Sequence, residues 1–252
     1  MLKFFLSRWL PTDIAMDLGT ANSLIYVRGR GIALDEPSVV ALDQDTGKIL
    51  AVGQKAKDMW GKAPETITIV RPMRDGVIAD YDVTKAMIKY FIRKVYRSRR
   101  YFRPRMIVCI PSGITQVEKR AVRESALDAG AGSVKLVEEP MAAAIGAKLP
   151  ISETGGNMIV DIGGGTTEVA VISRFATVYN ESIRVAGDEM DEAVQSQIRK
   201  VHNLVIGPFE AERTKIEIGS ATVLNSRLET VVRGRDLVEG IPKAIPVDDS
   251  II

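Results

Sequence analysis

Short apolar runs on either side of a glycine-containing turn occur twice along the chain. Residues 14–16 and 23–27 flank the first turn, and residues 158–160 and 169–172 flank the second. Short runs rich in Ile and Val and bounded by Gly are typical of β-strands. The pattern therefore predicts the same unit, a strand, a tight turn and a second strand, in each half of the chain.

The rest of the pattern predicts further strands and several amphipathic helices. We expect strands at residues 13–17, 23–28, 32–42 with an interruption at Pro37, 49–52, 67–72, 106–110, 134–137, 158–161, 169–173, 177–184 and 224–237. We expect helices at residues 54–62, 83–95, 116–130, 187–201 and 208–218, and another that begins at 139. The third of these starts with a capping box, in which Thr115 is the N-cap and Glu118 is three residues further on.

Strand triplets followed by helices, repeated, predict an α/β protein of two related lobes. We divide the chain into an N-terminal segment of residues 1–11, a first lobe of residues 12–149 with a small insertion at about 33–75, and a second lobe of residues 150–252. The boundary falls where Pro, Ser, Thr and Gly cluster, at residues 149–156.

Composition narrows the class of protein without identifying it. The chain has 252 residues, is 46% hydrophobic and 26% charged, and carries a net charge of +2, as an ordinary globular protein does. A net positive charge this small excludes a nucleic-acid-binding surface that extends over the whole protein. The single cysteine, Cys109, excludes an internal disulfide and lies in an apolar run, where we expect an inert core residue.

Two segments suggest contact with a membrane surface. On a helix, Leu2, Phe5, Leu6 and Trp9 share one face, a pattern typical of an in-plane anchor, although the segment could instead dock on the protein's own core. Seven basic residues and no acid lie between Arg93 and Arg105. They surround Tyr101 and Phe102, which suit insertion at an anionic membrane. A solvated basic loop and an RNA-binding loop are the alternatives.

The two glycine turns carry the chemistry. Glycine lets the backbone approach phosphate oxygens and present N–H groups to them. An aspartate precedes each turn, Asp17 and Asp161, and can position a hydrated Mg²⁺ that accompanies ATP. Asp before Gly also occurs in plain hairpin turns, but a matched pair favours the phosphate interpretation. The candidate phosphate-binding residues are Gly19, Thr20, Ala21 and Asn22 in the first turn and Gly163, Gly164, Gly165 and Thr166 in the second.

Together these motifs resemble the actin/Hsp70/hexokinase ATPase superfamily, and within it most closely the MreB family of bacterial actins. Residues 17–23 and 161–168 resemble the two phosphate motifs, and residues 137–144 resemble the helix that connects the lobes. Residues 187–191 and 210–215 resemble segments that approach ribose and adenine. Neither a P-loop nor a Rossmann glycine motif is present in the sequence.

The resemblance implies an actin-like ATPase fold of two RNase-H-like lobes, with ATP and Mg²⁺ as cofactors. It implies that Glu139 orients the hydrolytic water, although an acid at this place also suits a helix N-terminus. It implies ribose and purine contacts from Gly187, Asp188, Glu212 and Lys215, where an ion pair between the last two is the plain alternative. Asp17 and Asp161 would hold Mg²⁺ through water.

In cellular terms the resemblance implies cytoplasmic filaments on the inner face of the cell membrane, attached through residues 2–10 together with Tyr101 and Phe102. These filaments would determine rod shape and direct cell-wall synthesis with elongation-complex proteins such as MreC and RodZ, and would not bind nucleic acid. We expect slow ATP hydrolysis coupled to polymerisation, provided that the missing C-terminal part is supplied.

One departure from the family pattern leaves alternatives open. The family continues beyond residue 252 with more of the second lobe and a late glycine-rich turn over the adenine, so we expect the second lobe to be incomplete at its C-terminus. An inactive truncated paralogue is therefore one alternative. An Hsp70-type chaperone ATPase would need a peptide-binding domain, and a sugar kinase would need a sugar-binding acid; the sequence identifies neither.

Overall fold

The computed structural model describes residues 13–96 and 103–251. The predicted anchor of residues 1–11 and the pair Tyr101 and Phe102 lie outside the described residues. The chain forms two compact units, Met1–Arg184 and Val185–Ile252. The predicted lobe boundary at 149–156 lies inside the first unit and stays a prediction.

The first unit holds most of the secondary structure. Its strands are β1 (Ile14–Leu18), β2 (Asn22–Val27), β3 (Gly31–Pro37), β4 (Val40–Asp43), β5 (Ile49–Val52), β6 (Ile67–Val70), β7 (Met73–Arg74), β8 (Val77–Ile78), β9 (Arg105–Ile110), β10 (Ser133–Glu138), β11 (Asn157–Ile162), β12 (Thr167–Ser173) and β13 (Ala176–Ile183). Its helices are α1 (Gln54–Lys57), α2 (Tyr81–Val95), α3 (Gln116–Asp128) and α4 (Glu139–Gly146).

A five-stranded sheet in the order β10-β9-β1-β2-β3 forms the centre of this unit. The strand β1 is parallel to β9 and antiparallel to β2, and β10 is parallel to β9. Alternate residues of β1 are buried, and the apolar stripe of α2 packs in the same core. Phe91 at the centre of that stripe is fully buried, and truncation of such a side chain typically costs about 3–5 kcal/mol. The predicted helical stripe is therefore confirmed.

Four local predictions need correction, each for a physical reason. The helix α2 begins at Tyr81, two residues early, because the Asp80 carboxylate accepts the Val83 N–H at 3.0 Å as an N-cap. The helix expected at 54–62 is only α1 and then continues as turns. The strand expected at 32–42 divides at Ser38 into β3 and β4, which belong to different sheets. The strand expected at 224–237 is confined to Glu229–Asp236.

Helix caps and the repeated hairpin follow the sequence closely. In the capping box of α3, the Thr115 hydroxyl accepts the Glu118 N–H and the Glu118 carboxylate accepts the Thr115 N–H at 2.6 Å. The strands β1 and β2 are antiparallel, as are β11 and β12, with a short glycine-containing turn between the strands of each pair. The strand, turn and strand unit predicted twice is thus confirmed.

A three-stranded antiparallel sheet in the order β11-β12-β13 carries the second glycine turn. One of its faces buries Ala170 and Ile172. On the opposite face, β11 leaves three large apolar side chains at least half exposed, those of Met158, Val160 and Ile162. The two glycine turns are therefore supported by sheets of unequal burial.

The second unit consists of α5 (Gly187–His202), β14 (Leu204–Val205), α6 (Pro208–Ile218), β15 (Glu229–Asp236) and β16 (Pro242–Asp248). Its three strands form a sheet in the order β14-β15-β16. Its core comprises Val194, Ile198, Leu204, Ile206, Ala211, Ile218, Val232 and Val247. Across the part of the chain that the structure describes, no helix is long and apolar enough to span a membrane.

Candidate functional site

The two glycine turns meet in the first unit. A Cβ added to Gly164 would lie 2.8 Å from the Cβ of Ala21, and one added to Gly165 would lie 3.0 Å from the Thr20 hydroxyl oxygen. At Gly164 a larger residue would force its neighbours to move, and at Gly165 it would fit only tightly. The fold therefore brings together the two halves of the predicted phosphate site, which are more than a hundred residues apart in sequence.

Glycine is required within the first turn as well. A Cβ added to Gly19 would lie 2.6 Å from the carbonyl oxygen of Asn22, which is closer than real Cβ contacts come. In the second turn, the Gly163 N–H donates to the Thr166 carbonyl at 2.8 Å and closes the loop on itself. Thr20 and Thr166 are both buried, so their hydroxyl groups lie in the protein rather than in bulk water.

A third turn, which the sequence analysis did not predict, lies against both phosphate turns. The short hairpin of β7 and β8 turns at Asp75 and Gly76, which have φ angles of 49° and 74°. The Gly76 N–H donates to the Thr20 hydroxyl oxygen at 3.1 Å. A Cβ added to Gly165 would lie 3.0 Å from the backbone of Asp75. The Asp-Gly dipeptide, a common hairpin-turn sequence, was the signal that could have revealed this turn.

Four carboxylates interact electrostatically at this site. Burial, followed by the charges of Asp17, Glu168 and Asp161, raises the pKa of Glu139 to about 8. Burial and the charge of Asp161 raise the pKa of Asp17. Both shifts arise first from burial and then from neighbouring negative charge, as expected for acids in a partly buried space. Such a space favours the binding of a cation.

Glu168 ends the second phosphate motif, but the sequence analysis gave it no role. Its side chain is only 1% exposed, and one of its carboxylate oxygens accepts the Ser112 N–H at 2.8 Å. Ser112 lies just after β9, which neighbours β10, and Glu139 follows β10 directly. Burial raises the pKa of Glu168, while the hydrogen bond from Ser112 opposes that shift. The hydrogen bond between Ser112 and Glu168 therefore joins the second hairpin to the central sheet, at the end where β9 and β10 finish and Glu139 lies.

Asp17 and Asp161 are carboxylates, a kind of group that suits Mg²⁺ and the water around it. Within residues 13–96 and 103–251, no group of three or more His, Cys, Asp or Glu side chains is arranged to hold a metal ion. Burial first, and then the charges of neighbouring carboxylates, raise the pKa of Asp17 and Glu139, and a divalent cation nearby would offset the second of these effects. Asp17 and Asp161 thus fit the predicted role of holding Mg²⁺ through water.

The predicted ribose and adenine residues lie in the second unit. Gly187 and Asp188 begin α5, and Glu212 and Lys215 lie on α6. The Lys215 ammonium contacts the Asp191 carboxylate at 2.7 Å and donates to the Gly187 carbonyl at 2.8 Å. A cavity of about 680 Å³ beside Lys215 is lined partly by apolar residues of α5. Lys215 therefore links the two helices through Asp191, and its nucleotide contact stays a prediction.

Cys109 behaves as the sequence suggests. The residue is only partly exposed, and burial together with the charges of Asp17, Glu139 and Asp161 raises the pKa of its thiol to about 12. A thiol that stays protonated at physiological pH is a poor nucleophile and metal ligand. The site chemistry therefore rests on carboxylates and backbone groups.

Two hairpins carry the glycine turns, and these turns lie against each other. The first hairpin belongs to the sheet in the order β10-β9-β1-β2-β3. This arrangement defines an actin-like fold of the RNase-H type. Comparison with solved structures agrees. Crystal structures of MreB5 of Spiroplasma citri bound to ADP and to AMPPNP match with TM-scores of 0.89 and 0.86, at 37% and 36% identity, over 95% of this chain and 72% of that one. MamK in a double helical filament matches with a TM-score of 0.77 at 21% identity, over 96% of this chain and 73% of that chain, which shows the shared fold alone.

Sequence comparison gives the family. The sequence model of the MreB/Mbl protein family matches residues 11–252. The cell shape-determining protein MreB of Escherichia coli strain K12 is 52% identical over 258 residues, covering all of this chain and 74% of that protein. The chain belongs to the MreB/Mbl family and is a bacterial actin homologue. The alternative of an Hsp70-type chaperone is not favoured.

Proposed function

We propose that the chain binds ATP with Mg²⁺ at its two glycine turns and assembles into membrane-associated filaments that determine cell shape. The observation that carries this proposal is the close approach of Gly164 to Ala21 beside four interacting carboxylates. Backbone N–H groups and buried threonine hydroxyls suit phosphate oxygens, and carboxylates suit the accompanying cation. MreB5 of Spiroplasma citri, a relative at 37% identity, was crystallised with ADP and with AMPPNP.

The residues would divide the work as follows. Gly19–Asn22 and Gly163–Thr166 hold the β- and γ-phosphates, and Asp17 and Asp161 hold the waters around the metal. When bound, Mg²⁺ would neutralise charge on the phosphates and the neighbouring carboxylates. Glu139, at the start of α4, would orient the hydrolytic water once the bound cation favours its ionised form. Phosphoryl transfer needs positioning and electrostatics above all, and this arrangement supplies both.

Contacts with the base complete the nucleotide proposal. Gly187, Asp188, Glu212 and Lys215 would contact the ribose and the purine, in line with the family resemblance. In the second unit Lys215 is held by Asp191. Charge removal at Lys215 would therefore test two contacts at once, and the affinity of a Glu212→Gln variant for AMPPNP tests the second predicted purine residue.

Filament assembly is tested by sedimentation. We expect the chain to pellet with anionic lipid vesicles in the presence of Mg²⁺ and AMPPNP, and to stay in the supernatant without nucleotide. Filaments should be visible by negative-stain electron microscopy in the pelleted fraction. A chain that stays monomeric with and without nucleotide would contradict the filament proposal.

Membrane attachment is tested separately. Deletion of residues 2–10 should release the filaments from vesicles if that segment anchors them. The matched variant Tyr101→Ser with Phe102→Ser tests the basic loop in the same assay. Vesicle binding that survives both changes would contradict the proposed attachment. A part in cell-wall synthesis and contacts with MreC and RodZ are proposed from the family alone, and co-purification of each partner tests them.

A further inference from the structure

Ser38 makes two hydrogen bonds to the first glycine turn. It lies one residue beyond β3 and is fully buried, with 0% of its surface exposed. Its hydroxyl donates to the Gly19 carbonyl at 2.6 Å, and its N–H donates to the Ala21 carbonyl at 2.9 Å. One side chain and its own backbone thus hold two carbonyl groups of the same turn.

A second buried serine supports the first. The hydroxyl oxygens of Ser23 and Ser38 are 2.9 Å apart, and Ser23 is also fully buried. A serine hydroxyl has one proton to donate, and that of Ser38 goes to Gly19. Ser23 must therefore donate to Ser38 rather than accept from it. This order makes Ser38 the residue that touches the turn, with Ser23 behind it.

The planar peptide bond extends the effect of these contacts to the N–H groups. In a trans peptide unit the carbonyl and the following N–H point in opposite directions. Fixing the Gly19 carbonyl therefore fixes the Thr20 N–H, and fixing the Ala21 carbonyl fixes the Asn22 N–H. Both N–H groups are directed away from Ser38, and both belong to residues that the phosphate proposal uses.

We propose that Ser38 is a positioning residue of the phosphate site, which holds the carbonyls of the first turn so that its N–H groups are directed at the bound phosphate before any ligand arrives. This proposal rests on the proposed nucleotide function for the identity of the ligand. Donors that are fixed in advance need no reorganisation on binding, and this raises affinity. Loss of the hydroxyl would free the Gly19 carbonyl to rotate and would turn the Thr20 N–H away.

The test compares Ser38→Ala with Ser23→Ala. Ser38→Ala removes the bonds of its hydroxyl to the Gly19 carbonyl and to the Ser23 hydroxyl, whereas Ser23→Ala removes only the second of these. We therefore expect the larger loss of thermal stability in Ser38→Ala, and only that variant breaks a bond to the turn. We expect Ser38→Ala to speed hydrogen exchange of the residue 38 amide, which donates to the Ala21 carbonyl, about tenfold relative to its intrinsic rate in the ligand-free chain. We also expect it to weaken the binding of AMPPNP about tenfold, which is the effect of losing one directed hydrogen bond. Ser23→Ala should change both quantities less than about twofold.

Two outcomes would overturn the role of Ser38. The first is unchanged exchange of the residue 38 amide in Ser38→Ala, and the second is an equal effect of both variants on exchange and on affinity. If the unaltered chain binds no nucleotide, the proposed function fails, while the exchange comparison still decides whether Ser38 holds the turn.

Discussion

The two glycine turns share a sequence pattern but differ in what supports them. The first follows β1, an inner strand of the five-stranded sheet, whose residues Ile14, Met16 and Leu18 are buried. The second follows β11, an edge strand of a three-stranded sheet with exposed apolar side chains on one face. The same local motif therefore follows a buried inner strand in one case and a less buried edge strand in the other.

The contacts that hold each turn differ in the same way. Ser38, from outside the turn, holds two carbonyls of the first turn. In the second turn the Gly163 N–H donates to the Thr166 carbonyl, within the turn itself. Gly164 and Gly165 then pack against Ala21 and Asp75. The first turn is therefore the fixed half of the site, and the second takes its position partly from contact with the first.

The largest expected difference between the turns comes from one methyl group at equivalent positions. An added Cβ would lie 2.6 Å from the Asn22 carbonyl oxygen at Gly19 but 3.3 Å from the Thr166 carbonyl oxygen at Gly163. Overpacking of this kind costs about 1–3 kcal/mol, and a fixed turn cannot move to relieve it. We expect Gly19→Ala to weaken AMPPNP binding on the order of 10- to 100-fold and Gly163→Ala to weaken it about threefold or less.

Titration with a fluorescent nucleotide analogue, together with thermal unfolding of both variants, checks this prediction. Equal losses of affinity, or a larger loss in Gly163→Ala, would show that the first turn is not the more constrained one.

A smaller effect, on how stability depends on pH, should come from the carboxylates beside the turns. Because the pKa of Glu139 is raised from 4.5 to about 8, the folded ligand-free chain holds a proton that the unfolded chain releases at lower pH. The stability of the wild type should therefore fall, relative to Glu139→Gln, as pH rises from about 4.5 to about 8, and the difference should be constant above that range. We expect at most a few kcal/mol, since the site is only partly buried.

Thermal unfolding of both proteins in EDTA across this pH range measures the difference. Addition of Mg²⁺ and nucleotide should reduce it, because cation binding favours the ionised carboxylate. A difference that does not change with pH would mean that Glu139 is not held in its protonated form.

The smallest expected difference lies in the amide hydrogen exchange of β1 and β11, the strands that precede the two turns. The strand β1 has a hydrogen-bonded neighbour on both sides, whereas β11 has one. Backbone amides in a central, buried strand open less often than those of an edge strand. We expect amides of β1 to exchange with solvent more slowly than those of β11 in the ligand-free chain, by mass spectrometry or NMR. The opposite order would reverse the assignment of the fixed and the dependent half.

Local signals explain which parts of the site could be predicted from sequence. Each Asp-x-Gly turn lies between two short apolar strands, so the motif and its structure occupy the same few residues. The helix stripe of α2 and the capping box of α3 are local for the same reason. The α/β class followed from the order of these elements, the actin-like fold was implied by the resemblance of the motifs to a known family, and the comparisons confirmed both.

The parts of the site that could not be predicted from the sequence depend on contacts between residues that are distant in the chain. Gly76 bonds to Thr20 and Glu168 to Ser112, in both cases across 56 positions of sequence. Ser38 reaches Gly19 across 19 positions, after a strand that was expected to continue to residue 42. Nothing in the local pattern around these residues distinguishes a positioning role from an ordinary turn. Only the folded sheet places them next to the phosphate turns.

The central claim is that Asp17 and Asp161, one on each side of the paired turns, hold the metal that accompanies the nucleotide. The most direct measurement is the affinity for AMPPNP with Mg²⁺ and with EDTA, for the unaltered chain and for Asp17→Asn with Asp161→Asn. We expect EDTA to weaken binding at least tenfold in the unaltered chain and less than about twofold in the double variant. If EDTA weakened AMPPNP binding equally in both proteins, or if the unaltered chain bound no AMPPNP, the proposed metal-holding role of Asp17 and Asp161 would be contradicted.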